Sequence, residues 1–156
     1  MARTVKTAFA DLPTMYDLGF AVGPNGPNNF SDVLLVQTLM KLANFTRFAG
    51  GLGPVEASRN IKVDGFYGPQ TDRLIRAFEA NRKSARLLLV EDGVFEPSSR
   101  DGFTRSGVLF KIIHLNRMAK QQSAFANEYN ALPFAPSTHP VLRNALANGA
   151  TRPPGV

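Results

Sequence analysis

At 156 residues, with 44% hydrophobic and 19% charged side chains, the chain is long enough to bury a core and too apolar to be disordered. Eighteen Lys and Arg against twelve Asp and Glu leave a formal charge of +6, which suits an anionic partner and equally serves to keep a surface soluble. Cysteine is absent, which excludes disulfides, thiolate metal sites and cysteine nucleophiles together.

The opening MARTVKTAFADLP lacks the apolar centre of a secretory signal, so cytoplasmic synthesis without a signal peptide is expected. No apolar run approaches the roughly 20 residues that span a bilayer, so no membrane insertion is expected. Residues 1–27 read as an extended N-terminal arm, ending in the Gly-, Pro- and Asn-rich turn chemistry of VGPNGPNN. A first helix is expected over about Asp32 to Phe45, with Ser31 or Asp32 as its N-cap. Val33, Val36, Met40 and Ala43, flanked by Leu35, Leu39 and Leu42, form its apolar face. Leu34, Phe45 and Phe48 fall outside that face and mark a partner-docking stripe, to be covered by an arm of this chain or by another protein.

The stretch VDGFYGPQT, Val63 to Thr71, reads as a turn that launches a second helix. Asp64 can accept from backbone N–H groups just ahead of it, Gly65 tolerates positive φ, and Pro69 suits the first helical position. Phe66 is expected to plug the core. In the helix PQTDRLIRAFEANRKS, Leu74, Ile75 and Phe78 point inward, while Arg73, Arg76, Glu79 and Lys83 face out. Leu87 to Val90 is a short strand or a buried link. EDGVFEPSS, Glu91 to Ser99, repeats the turn less strictly, with Glu96 in the place of Gly68. A third helix is expected over about Ser106 to Lys120. Residues 121–156 form a Pro-rich C-terminal arm with a short helix near Val141 to Ala147.

Chemistry is hard to seat on these elements. An EF-hand loop begun at Asp64 would place Phe66, Gly68 and Ile75 at ligand positions, and none of them can bind calcium. Two histidines, His114 and His139, do not make a zinc site; His114 reads as packed within a helix and His139 as exposed. No nucleophile elbow is present, and Glu56, Glu79, Glu96 and Glu128 lie among polar or turn residues, unlike a buried general acid. Acids interrupt the basic residues throughout TDRLIRAFEANRKSAR, where a phosphate-binding face would present a cleaner stripe, so no specific nucleic-acid partner is expected. The expectation is no enzyme, no cofactor and no metal.

The order DVLLVQTLM, then VDGFYGPQTDRLIRAFEANR, then EDGVFEPSS resembles the peptidoglycan-binding-like domain, a small three-helix module of bacterial cell-wall proteins. Asp32, Val33, Val36 and Gln37 carry the first part of the resemblance; Val63, Asp64, Gly65, Gly68, Pro69, Thr71, Ala77 and Phe78 carry the second. Glu79 stands where that family often has Gln, and Ser98 to Gly107 is additional sequence. The resemblance implies a mainly α fold: a three-helix domain with Asp-Gly turns over residues 28–120, carrying extended N- and C-terminal arms. It also implies a non-catalytic peptidoglycan-binding module, carried by a phage particle or by a secretion or injection apparatus and acting at the cell wall or in the virion. With no Trp, three Tyr and twelve Phe, the peptide stem is a better target than the glycan. Candidate ligand contacts are Asp64, Tyr67, Gln70 and Thr71, with Arg73 and Arg76 beside them. The alternative is a structural or adaptor protein of a phage tail or secretion assembly that uses the fold for protein–protein contacts.

Overall fold

The computed structural model describes residues 1–48, 54–98, 104, 107–123 and 127–148. The chain opens with an antiparallel hairpin of β1 (Arg3–Lys6) and β2 (Thr14–Asp17), in register Arg3 to Asp17 and Lys6 to Thr14. Helix α1 spans Phe30–Ala43 and is followed by β3 (Thr46–Phe48), paired antiparallel with β4 (Pro54–Ala57). A single 3-10 turn at Ser58–Asn60 leads to the Asp-Gly turn and to α2 (Pro69–Ser84). Helices α3 (Lys111–Gln122), α4 (Asn127–Ala131) and α5 (Pro140–Ala147) complete the fold.

Five helices and two small sheets among the described residues replace the expected mainly α, three-helix domain. The arms are not extended either. Leu12, Met15, Tyr16, Leu18 and Val22 from the first arm, and Tyr129, Leu132, Leu142 and Leu146 from the last, are buried in one cluster with α1, α2 and α3. The physical reason is α1, on which nearly every apolar side chain is buried; one face of a three-helix module cannot cover it, so the arms do. A buried hydrogen-bond knot locks them in place. Asn116 on α3 accepts from the Tyr16 amide at 2.9 Å and from the Tyr129 hydroxyl at 2.5 Å, and donates to the Tyr16 carbonyl at 2.8 Å. The Tyr16 hydroxyl donates in turn to the Tyr129 carbonyl at 2.7 Å, so one side chain of α3 fastens both arms.

Local starts and stops differ from the sequence expectation in instructive ways. Helix α1 begins at Phe30, and neither Ser31 nor Asp32 caps it. Their side chains accept instead from the N-terminal segment, Ser31 from the Ala2 amide at 3.2 Å and Asp32 from the Gly19 and Phe20 amides at 2.9 and 3.2 Å. Helix α2 begins at Pro69, where a missing N–H costs nothing, as expected. Helix α3 begins only at Lys111, because Thr104 and Val108 close a turn and Phe110 is extended; Ser106 itself lies outside the described residues. Leu87 to Val90 forms neither a strand nor a buried link, since Leu87, Leu88 and Val90 are exposed. Among the described residues no helix directly follows the second Asp-Gly turn; Phe95 bridges to Val22, with paired amide bonds of 2.8 and 2.9 Å.

Candidate functional site

The Asp-Gly turn is built around Gln37. Its Nε2 donates to Asp64 Oδ1, to the Phe66 carbonyl and to Thr71 Oγ1, each at 3.1 Å. Its Oε1 accepts from the Asp64 amide at 3.1 Å and the Gly65 amide at 2.9 Å. Asp64 Oδ1 also accepts from the Phe66 amide at 3.0 Å, which closes the expected Asx turn. Gly65 has φ +76°, and a Cβ there would lie 2.4 Å from the Phe30 ring, so no other residue fits.

That turn reverses the roles expected of its two aromatics. Phe66 does not plug the core: it is 69% exposed and meets Phe30 edge-on, with centroids 5.7 Å apart. Tyr67 is the half-buried ring that packs against the core, and its hydroxyl donates to Asp72 Oδ1 at 2.5 Å. Burial, together with the Asp72 carboxylate, pushes the Tyr67 phenol well above its ordinary value and keeps it protonated.

The other candidates gather on Glu56 of β4. Gln70 Nε2 donates to Glu56 Oε2 at 3.2 Å, Arg73 Nε to Oε1 at 3.4 Å and Arg47 Nε to Oε1 at 3.2 Å. Gln70 also accepts from the Lys62 amide at 3.1 Å. Arg76 is exposed and pairs with Asp72 at 3.3 Å, its guanidinium lying over Gly93 of the second Asp-Gly turn. The structure therefore gathers the candidates around the turn and the start of α2, with Thr71 buried, and it occupies Asp64, Tyr67, Gln70 and Thr71 with internal bonds. Arg73 and Arg76 keep exposed guanidinium edges.

Both carboxyls of this turn region are held in their ionised form. Burial raises the Asp64 carboxyl, but the Phe66 amide, Gln37 and Lys62 outweigh it and hold the group below its ordinary range. Burial of Glu56 is likewise outweighed by Arg73, Gln70 and Arg47. A glycosidase acid needs the opposite shift. Among the described residues no cluster of three or more His, Asp or Glu is placed to hold a metal ion.

Glu79, expected on the outer face of α2, is buried. It accepts from Lys111 Nζ at 2.6 Å and from the Gly93 amide at 2.7 Å, and Lys111 also pairs with Asp92. These groups tie the second Asp-Gly turn between α2 and α3. The docking stripe is also revised. Leu34 and Phe45 are buried in this chain's own core, because α3 and α5 pack against α1 and because the Phe45 ring packs, tilted, against Phe78 with centroids 5.7 Å apart. Phe48 alone of the three is open, 67% exposed at the end of β3.

An apolar groove of about 610 Å³, which no motif marks, lies between α1 and the C-terminal segment, walled by Leu42, Val63, Ala131, Leu132 and Ala135. Lys41, Glu128 and His139 also line it. His139 is half-buried rather than exposed; it caps α5 by accepting from the Val141 amide at 3.2 Å, and its ring meets Phe30 at 5.6 Å. Phe30 links the groove to exposed Phe66.

Comparison with protein families, with curated proteins and with solved structures finds no match to the chain. Among the described residues, no helix is long and apolar enough to cross a membrane.

Proposed function

We propose that the chain is a non-catalytic structural or adaptor protein that works by docking protein surfaces, of the kind that builds a phage tail or a secretion or injection assembly. The observation that carries this reading is a contrast. The polar groups of the Asp-Gly turn are spent on one another and on Gln37, while the apolar groove beside α1 stays open. A turn whose donors and acceptors are already paired gains little from a ligand, because each new hydrogen bond must replace an old one. An open apolar groove gains from every side chain that enters it.

A second reading, peptidoglycan binding through the turn, is favoured by the exposed edges of Arg73 and Arg76 on a chain of net charge +6. The two separate in co-sedimentation with protein-free sacculi at rising salt, run beside Tyr67→Ala. The adaptor reading expects no sedimentation, or binding that salt abolishes, with no difference in the variant. Salt-resistant binding that weakens in Tyr67→Ala would replace it with wall binding.

A further inference from the structure

The adaptor reading leaves the occupant of the groove unnamed, and the charges around it narrow the choice. A chain of net charge +6 repels its own copies over most of its surface. The groove is different: one exposed cation, Lys41, and one exposed anion, Glu128, line it, and among the described residues neither is in an ion pair. A strongly acidic or basic partner would find no net charge to meet there. A two-fold interface, by contrast, brings a patch against itself and needs any charge within that patch to come in both signs. It also needs a projection beside its cavity. Phe66 supplies one, standing out of the Asp-Gly turn and reaching the groove wall through Phe30 and His139.

Resting on the adaptor reading, we propose that the groove is the interface of a two-fold homodimer. Phe66 of each copy enters the groove of the other, and Lys41 of one copy faces Glu128 of its partner. The exposure of Phe66, which costs free energy in a monomer, is then explained by its burial in the pair.

Sedimentation velocity of the full chain, from low micromolar to several hundred micromolar, tests this. The wild type should shift from monomer to dimer across the series, and Phe66→Asp should weaken association about tenfold or more without changing the thermal melt. Lys41→Glu alone and Glu128→Lys alone should each weaken it, because each places like charges together twice. Mixed in equal amounts, the two should form a heterodimer tighter than either homodimer, since both contacts are then of opposite sign. A wild type that stays monomeric throughout overturns the dimer while leaving the adaptor reading to the sacculus result. A dimer indifferent to Phe66→Asp, or charge variants that gain nothing on mixing, overturns the placement of the interface.

Discussion

Five hydrogen bonds converge on the Gln37 side chain, and they join two segments 27 to 34 residues apart. Truncating it would strand the Asp64 and Gly65 amides and the Thr71 hydroxyl together. Gln37→Ala should therefore cost about 2–3 kcal/mol, read from the urea midpoint at unchanged m-value. A cost within about 0.5 kcal/mol, typical of a surface change, would contradict the role assigned to it. The sequence showed Asp64, Gly65 and Pro69 as turn chemistry because those effects are local. It did not show that Gln37 completes the turn, nor that Tyr67 rather than Phe66 is the inward ring, because both depend on what packs from α1. His114 makes a second prediction at this scale. Burial, with Arg117 and Arg82 nearby, holds its pKa below the ordinary value against a smaller opposing pull from the Leu88 backbone, and its Nε2 is buried without a partner among the described residues. The unfolded chain thus binds the proton more readily, so His114 contributes stability above about pH 6.5 that is lost as pH falls toward its folded pKa. His114→Gln should flatten the melting temperature between neutral and mildly acidic pH; an unchanged slope would contradict this.

Helices α2 and α3 are joined by the Glu79–Lys111 pair, both side chains 5% exposed, with Lys111 also set against the Phe95 ring. Removing one member of a buried pair leaves the other charge uncompensated, so Lys111→Met should cost about 3–5 kcal/mol. Glu79→Gln in the same chain, which removes the charge but keeps an acceptor for the Gly93 amide, should recover most of that loss, as measured by a double-mutant cycle; additive losses would show that the two do not act as a pair. Legibility differed from element to element. Helix α2 announced its start through Gly68 and Pro69 and its inner face through Leu74, Ile75 and Phe78. The pattern alone sets Glu79, adjacent to that face, in solvent, because its partner lies 32 residues further on. The start of α3 was misplaced for a related reason: Val108 and Leu109 fit a helical face in pattern, but the Thr104–Gly107 turn directs the chain elsewhere. Strands β1 to β4, of three or four residues each, are too short for alternation to reveal.

Across the whole molecule, the arms supply a share of the core that the three central helices cannot replace. Tyr16, Asn116 and Tyr129 fasten both arms to α3, and the Thr4 hydroxyl donates to the Leu146 carbonyl at 2.7 Å, tying the first hairpin to α5. A fragment of residues 28–120 should therefore lack a cooperative thermal transition, since Val22, Leu18 and Leu142 would be missing from its core. A fragment that melts like the full chain would show the arms to be appendages after all. The resemblance of the middle motif led toward a self-sufficient module because Asp-Gly turn chemistry is local, while the burial of 1–27 and 127–148 is a property of the assembled core. The groove had no sequence signature because its walls come from α1, Val63 and the C-terminal segment, which are remote in the chain. The most direct measurement is an amide chemical-shift map of the full chain, recorded on dilution and again with soluble muropeptides at millimolar concentration. Dilution should move the amides of Lys41, Leu42, Ala131 and Leu132, while muropeptides leave those of Asp64 to Arg76 in place. Saturable muropeptide shifts centred on Tyr67, with groove amides unmoved by dilution, would contradict the division of the molecule into a structural turn and a working groove.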